Sequence, residues 1–253
     1  MRQLEVYIEE YGDFVQAGQI QGETWEDARF IYEKSYLENQ SHRPISISLP
    51  FQEDAFSPFE TRCYFEGLLP EGYTRRCVAG WMHVAEEDYL SVLAGLGNEC
   101  LGAVRICEPG AGGCSPSYKK ISREELLEFA KEGASKSAQF LAKAHLSLTG
   151  ASGKTGLYYD NKDEWYMPFG TAPSTHIVKQ SHVRLSGIVA NEQLCLRTAK
   201  ILGIDVPESF IISVGTGEHI LFATKRFDRL MQEDSRVIDG KKVPFRLQRH
   251  RLT

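Results

Sequence analysis

The chain has 253 residues, of which 42% are hydrophobic and 25% charged, and its formal net charge at pH 7 is −5. This length and composition indicate a globular protein with one large domain or two modest ones. The negative charge argues against broad, non-specific binding of nucleic acid, and no apolar run approaches the roughly 18 residues that a membrane span requires.

The N-terminal segment and the cysteines both favour the cytoplasm. The first residues, MRQLEVYIEEYGDF, are mixed and acidic, whereas a secretory signal peptide has a basic start and an apolar core. The six cysteines include no C-x-x-C pair and no zinc spacing, so we expect reduced thiols. We therefore expect a cytoplasmic protein that does not enter the membrane.

Residues 1–107 form the first predicted part. The segments LEVYIEE and DFVQAGQIQ alternate in polarity around Gly12, which predicts two strands joined by a tight turn. SHRPISISLP alternates similarly and predicts another strand, and GAVRIC predicts a last one. Between them, helical spacing with glycine punctuation predicts short helices in residues 65–96. The next segment, EPGAGGCSPS, is rich in Gly, Pro and Ser, which predicts a linker over 108–120.

Residues 121–253 form the second predicted part. ISREELLEFAKEG carries a serine cap, early glutamates and a glycine stop, so it predicts a helix. Strands are predicted at GLYYD, from Trp165, at THIVKQ, at SFIISVG and at HILFATKRFD. A helix capped by Ser186 or Asn191 is predicted over ANEQLCLRTAKILG. The predicted class is therefore α+β, with a mixed strand and helix subdomain followed by a kinase-like small lobe.

A glycine-rich turn precedes a predicted strand in SLTGASGKTGLYYD, residues 147–160. It is not a P-loop of the type G-x-x-x-x-G-K-[ST], because Leu148 stands where the first glycine is required. The remaining alternatives are a plain hairpin turn and a kinase-type loop whose backbone N–H groups approach nucleotide phosphates. In the second case Lys179 on a neighbouring strand would reach the phosphates, and Glu192 on the helix would hold that lysine.

Several motifs together resemble the HipA-type serine/threonine kinases of toxin–antitoxin pairs. In the second part they are SLTGASGKTGL, WYMPFGTAPSTHIVK, NEQLCL and TKRFDR, and in the first part ISISLP, YFEGLLPEG and GLGNECLGAVRI. They follow one another in the order and spacing of that family. The resemblance therefore covers nearly the whole chain up to Arg229.

The resemblance implies a nucleotide, a substrate and a partner. The nucleotide is ATP, the substrate a protein such as an aminoacyl-tRNA synthetase, and the partner a HipB-like helix-turn-helix antitoxin, through which DNA is contacted only indirectly. Ser147 matches the serine that such kinases autophosphorylate, an event that pushes the loop outward and switches the enzyme off. The ATP-binding residues that the resemblance implies are Thr149, Gly150, Ala151, Ser152, Gly153, Lys154, Lys179, Lys225, Arg226 and Phe227, with Glu192 as the supporting ion-pair partner of Lys179.

Two positions depart from the family pattern. Gly153 stands where relatives often carry a larger polar residue or proline, so we expect a more mobile loop. Lys225 stands where relatives commonly have glutamate. A backbone contact to adenine survives this change, whereas a side-chain role does not.

The largest departure lies after Arg229. Members of the family continue into a helical lobe that carries the catalytic aspartate and the ligands of Mg²⁺. Here Glu233, Asp234 and Asp239 lie in a polar segment without the D-x-H-x-K-N arrangement. We therefore expect that this lobe is missing, that Mg²⁺ binds only with it, and that the chain alone transfers no phosphoryl group. Two alternatives remain. One is a non-catalytic module that pairs with the antitoxin or with a separately encoded catalytic lobe, and the other is a small-molecule kinase or nucleotide-binding protein on a related lobe.

Overall fold

The protein has an α+β fold, as predicted. The computed structural model describes residues 1–160, 162–181, 185–216, 219–231 and 235–247. Within them the chain forms antiparallel sheets and seven α-helices, and no helix there is long and apolar enough to cross a membrane. The first elements are β1 (Arg2–Glu10), β2 (Asp13–Gly22), β3 (Arg29–Tyr32), α1 (Lys34–Glu38), α2 (Pro58–Glu66), α3 (Gly72–Met82), α4 (Tyr89–Leu96) and β4 (Val104–Cys107).

A four-stranded antiparallel sheet with the order β3-β2-β1-β4 lies at the centre of the first part. Leu4, Val6 and Ile8 on β1 are buried, so one face of the strand packs into the core, as its alternating pattern predicts. Tyr11 and Gly12 have φ angles of 51° and 98°, which is the backbone of a two-residue hairpin turn. The predicted pair of strands and the turn between them are confirmed.

The segment SHRPISISLP is not a strand, although its polarity alternates. Its ladder pairing within the described residues is a single bridge between Ser46 and Leu49, inside a turn in which the Leu49 N–H donates to the Ser46 carbonyl at 3.1 Å. The Ser46 hydroxyl also accepts from the Ser48 N–H. Serine side chains that bond the nearby backbone compete with strand pairing, so the predicted strand is wrong.

A second antiparallel sheet begins in the segment predicted as a linker. All five strands predicted for the second part are present, and a sixth, β5, was not predicted because its surroundings are rich in Gly, Pro and Ser. The division of the chain at 108–120 stays a prediction. The elements are β5 (Ser117–Lys120), α5 (Arg123–Glu132), α6 (Ala134–Ala144), β6 (Lys154–Tyr159), β7 (Trp165–Phe169), β8 (His176–Gln180), α7 (Ile188–Ile201), β9 (Ser209–Val214) and β10 (His219–Lys225), and the strand order is β5-β7-β6-β8-β10-β9.

The helices α5 and α6 pack against this sheet. The predicted serine cap of α5 is present, since the Ser122 hydroxyl accepts from the Glu125 N–H and the Glu125 carboxylate accepts from the Ser122 N–H. Gly133, with φ of 65°, separates the two helices. The helix α6 was not predicted. It buries Phe140 and Leu141 and also contacts α3, so one hydrophobic core extends through both parts.

The helix α7 contacts β9 and β10. Its N-terminal cap is Gly187, and no side chain caps it. The carbonyl of Ser186 accepts the hydroxyl of Ser181, and Asn191 lies inside the helix. The predicted capping of this helix by Ser186 or Asn191 is therefore wrong.

Four short strands, in two antiparallel pairs, follow the second sheet. One pair joins the end of the described chain to the residues that follow β10, and the other is a small hairpin. They are β11 (Arg229–Leu230), β12 (Val237–Ile238), β13 (Lys241–Lys242) and β14 (Phe245–Arg246).

A buried network of four charged side chains connects the two parts of the chain. Arg226 donates to both carboxylate oxygens of Asp228, at 2.9 and 2.7 Å, and Arg229 donates to Glu99 at 2.7 Å. All four side chains are at most 7% exposed. Burial alone would raise the pKa of Asp228, but the adjacent Arg226 and Arg229 outweigh it and hold that pKa well below its ordinary value. Since Glu99 precedes β4 and the other three residues follow β10, this ion network holds both parts together.

Replacing Asp228 should destabilise the protein strongly. Asp228→Ala leaves two buried guanidinium groups short of a carboxylate, and breaking a buried ion pair in this way costs about 3–5 kcal/mol. Urea denaturation followed by circular dichroism measures the free energy of unfolding. The control Asp205→Ala removes an exposed carboxylate and should change it by no more than about 0.5 kcal/mol. Equal midpoints for both variants would contradict the role given to the network.

Candidate functional site

The glycine-rich loop of residues 149–153 lies before β6 and packs against the start of α3. Thr149 donates its hydroxyl proton to the Glu71 carboxylate at 3.2 Å, across 78 positions of sequence. Thr74 donates to the carbonyl of Ala151 at 3.2 Å, across 77 positions. The loop of the second part is therefore held by side chains of the first part, and no local pattern in the sequence indicates this contact.

Lys154, the first residue of β6, folds back into this loop. Its ammonium group donates to the Thr149 carbonyl at 2.6 Å. Gly150 has a φ of +96°, and a Cβ at that position would lie 2.8 Å from the Lys154 Nζ. The positive φ therefore favours glycine at this position, whereas a Cβ there would only require the flexible end of the Lys154 side chain to shift. The loop therefore surrounds the ammonium group of Lys154, whose positive charge could attract a phosphate group.

Lys179 on β8 stands directly opposite Lys154 on β6. Opposite side chains in an antiparallel pair share one face of the sheet, so the two lysines are neighbours. Glu192 on α7 accepts a hydrogen bond from Lys179 at 2.5 Å. Burial lowers the pKa of Lys154, and repulsion from Lys179 lowers it further, while Glu192 and Glu71 act in the opposite direction. The structure therefore brings the loop, both lysines and the helix glutamate together.

Gln180 is a buried neighbour of the loop that sequence reasoning missed. It is 3% exposed, and its N–H donates to the Gly153 carbonyl at 3.3 Å. A Cβ at position 153 would lie 2.2 Å from the Gln180 Nε2, so the glycine makes room for the carboxamide. The Gln180 Oε1 has no hydrogen-bond partner among the residues that the structure describes. A glutamine at the end of a strand carries no spacing signal, so only the fold identifies it.

Ser147 is fully buried at the start of the loop region. Its hydroxyl donates to the Leu68 carbonyl at 2.7 Å, and its N–H donates to the Glu99 carbonyl at 2.8 Å. A hydroxyl held in this way is not accessible to a phosphoryl donor unless the loop moves.

The three residues expected to border the adenine have different surroundings. Lys225 forms a surface ion pair with Glu208 at 3.3 Å. The side chain of Arg226 is fully buried in the ion network, and its backbone N–H donates to the Thr175 carbonyl at 2.9 Å. Phe227 is 62% exposed. The side chain and the N–H of Arg226 are thus engaged within the protein, whereas Lys225 and Phe227 present side chains at the surface.

The acidic residues near the end of the chain do not assemble into a site within the described ranges. Asp239 accepts the N–H of Tyr118 at 2.7 Å, while Glu233 and Asp234 lie outside the described residues. Among the residues described, no three His, Cys, Asp or Glu side chains are grouped so that they could hold a metal ion. Since Mg²⁺ takes oxygen ligands such as carboxylates, no described residue is assigned to it.

Comparisons with known proteins agree on one family. The model of the HipA N-terminal domain matches residues 4–107, and that of the HipA-like C-terminal domain matches residues 146–248. "Putative kinase Y4mE" of Sinorhizobium fredii is 30% identical over 75% of this chain and 46% of its own length. The "Serine/threonine-protein kinase toxin HipA" of Shewanella oneidensis is 27% identical over 75% of this chain and 43% of its own length.

A solved structure shares the fold. The complex of HipA, HipB and operator DNA from Shewanella oneidensis MR-1 contains a chain that matches with a TM-score of 0.71 and 24% identity, over 96% of this chain and 53% of that chain. The likeness at this identity concerns the fold alone. The chain spans about half the length of each of these three relatives.

The charges around Lys154 make opposite predictions for two variants. Lys179→Met should raise the pKa of Lys154, because it removes a neighbouring positive charge, and Glu192→Gln should lower it, because it removes a negative one. NMR titration of isotope-labelled lysine side chains measures both shifts. The control Lys200→Met changes an exposed lysine of α7 and should leave the Lys154 titration unchanged. Shifts of the same sign in the first two variants would contradict the arrangement.

Proposed function

The chain belongs to the HipA family, and we propose that it supplies the ATP-binding half of a HipA-like serine/threonine kinase. The observation that carries this proposal is the pair of ammonium groups of Lys154 and Lys179. They lie on neighbouring strands beside a glycine-containing loop, and Glu192 holds one of them. Kinases bind nucleotide phosphates in this way, with lysine and a glycine-rich loop around the transferred group.

Binding of the phosphates would replace weaker contacts that the site makes now. Lys154 donates to a neutral acceptor, the Thr149 carbonyl, and a phosphate oxygen would give it a shorter and stronger charge-assisted hydrogen bond. An anion placed between Lys154 and Lys179 would also remove the repulsion between them. Both effects are enhanced where the site is shielded from water. They favour a polyanionic ligand such as ATP.

Phosphoryl transfer to a protein belongs to the complete enzyme in this proposal. We propose that the catalytic aspartate and the Mg²⁺ ligands come from a further lobe, and that the substrate is a protein such as an aminoacyl-tRNA synthetase. Exposed apolar side chains at α7 and just after it would supply a contact surface for that lobe. They are Leu194, Ile201, Leu202 and Ile204, each more than half exposed.

A second candidate function is a binding module for a HipB-like helix-turn-helix antitoxin. It is favoured by the fold neighbour, a HipA in complex with HipB and operator DNA. DNA would then be contacted through the antitoxin, in keeping with the net charge of −5 on this chain. Either role places the protein in the cytoplasm. The two candidates differ in what they require of ATP, because a pure binding module requires none.

Isothermal titration calorimetry with ATP tests the proposal. Lys179→Ala should weaken ATP binding about tenfold or more, because a hydrogen bond to a charged group contributes about 1.5–3 kcal/mol. Lys200→Ala makes the same change of charge at an exposed position of α7 and should bind ATP as the parent does. Equal affinities for the parent and Lys179→Ala would remove Lys179 from the site. A parent chain that binds no ATP would leave the binding module as the better account.

We further propose that Ser147 is the regulatory phosphorylation site. A phosphoryl group on its hydroxyl adds about −1.5 to −2 charges in a fully buried position. The hydrogen bond from Ser147 to Leu68 would be lost, and the added charge would compete with ATP for Lys154. The loop would have to leave its place against α3, so phosphorylation would switch off nucleotide binding.

Two substitutions distinguish a regulatory serine from a serine in an ordinary turn. Ser147→Asp brings a negative charge into the buried position, so it should weaken ATP binding and increase amide hydrogen exchange in residues 147–154. Ser147→Ala only removes one hydrogen bond, worth about 1 kcal/mol, and should leave ATP affinity nearly unchanged. Calorimetry and hydrogen exchange measure the two effects. If both variants behave alike, Ser147 has no regulatory role.

A further inference from the structure

A cavity of about 420 Å³ lies on the face of the second sheet that is opposite to Lys154 and Lys179. Its walls include the rings of Tyr159, Trp165 and Phe210. The ring centroids of Tyr159 and Trp165 are 4.6 Å apart, and those of Tyr159 and Phe210 are 5.6 Å apart. The volume lies within the range of about 300–1,000 Å³ that is usual for ligand sites. The proposed ATP site does not use this cavity.

The position of His176 on β8 shows that this cavity and the lysine pair lie on opposite faces of the sheet. Its ring packs against Tyr159 and Trp165 with centroid distances of 5.4 and 5.6 Å, so it lies on the cavity side. Side chains alternate between the faces of a strand, and Lys179 comes three residues after His176 on β8. The cavity and the lysine pair are therefore on opposite faces, and the occupancy of each can be measured separately.

One wall of the cavity is the free edge of the sheet. The strand β9 is the last in the sheet order and pairs with β10 alone. Six consecutive residues, 210–215, line the cavity. From the part of the chain that the structure describes, no hydrogen bond reaches the outer backbone edge of Ser209–Val214. The strand SFIISV also contains no charged residue and no proline, and charged residues and proline are among the features that usually keep an edge strand from pairing.

We propose that the β9 edge and this cavity form a docking site for an extended segment of a partner protein. The segment adds a seventh strand to the sheet and inserts one apolar side chain into the aromatic cavity. Main-chain hydrogen bonds provide the affinity in this kind of recognition, and the pocket provides the specificity. The cavity rim carries one positive and one negative side chain, Arg123 and Asp163, so a charged anchor gains no net attraction and an apolar anchor is favoured.

A second copy of the chain fits the site less well. Phe210, Ile212 and Val214 of β9 alternate onto the cavity face, and Phe210 already packs against Tyr159 and Trp165 of its own chain. Pairing of β9 with β9 of a second copy would satisfy the backbone edge but would bring no free side chain to fill the cavity. A separate segment with its own apolar side chain would pair with the backbone edge and also fill the cavity.

A designed peptide tests the proposal on the whole chain. The probe is a fluorescein-labelled nonapeptide of alternating threonine and valine with a central phenylalanine and a terminal lysine at each end. A second version carries isoleucine at the centre, and a third carries aspartate. Two further versions have alternate backbone nitrogens methylated, so that each blocks one edge of the peptide. Fluorescence anisotropy measures affinity, amide hydrogen exchange locates the protected strand, and light scattering reports the oligomeric state.

The expected result is binding of a peptide with an apolar centre, with protection confined to residues 209–214. Affinity should fall at least tenfold for the aspartate peptide and for one methylated version but not the other. Ser213→Lys, which places a charge on the exposed position of the edge, should weaken binding at least tenfold, while the matched control Thr198→Lys on α7 should not. ATP affinity should be unchanged in both variants.

Any of the following results would overturn the proposal. The first is that neither apolar peptide binds at millimolar concentration. The second is protection that falls outside β9, or equal binding by both methylated versions. The third is a dimer that forms without peptide and is abolished by Ser213→Lys, because it would make a second copy the occupant of this edge.

Discussion

The ion network of Glu99, Arg226, Asp228 and Arg229 is the constraint on which the site depends. Charges removed from water are tolerated only when they are paired and hydrogen-bonded, and here each of the four has an oppositely charged partner. The backbone of Glu99 also accepts the N–H of Ser147. The pairing that joins the two parts of the chain therefore also fixes where the glycine-rich loop begins.

Two like charges are held close together beside the glycine-rich loop by the fold around them. Lys154 and Lys179 face each other on adjacent strands, and like charges directly opposite destabilise a sheet. Glu192 offsets part of this repulsion through Lys179, and Glu71 lies close enough to Lys154 to favour its charged form. Features that cost stability without a local structural reason are expected at functional sites. In the function that we propose, this site receives an anion.

Strands and caps were predictable wherever a local pattern had one physical cause. The alternation at Leu4, Val6 and Ile8 and the capping box at Ser122 both appear as predicted. Prediction failed where neighbouring groups competed, as at Ser46, whose hydroxyl bonds the local backbone. It failed also for β5, which becomes a strand only because β7 lies beside it. The polarity and composition of a segment do not indicate which other groups it will hydrogen-bond or pair with.

The sequence by itself determined the α+β class, the family, the position of the glycine-rich loop and the choice of Lys179 and Glu192 as a candidate pair. Each of these depends on residue types or spacings within one segment. Only the tertiary structure decided that Lys154 faces Lys179, that Glu71 contacts the loop, and that Arg226 turns inward. These facts depend on strand register and on contacts between residues far apart in sequence. Register and long-range packing are settled by the assembly of the whole core, because no single segment contains both partners.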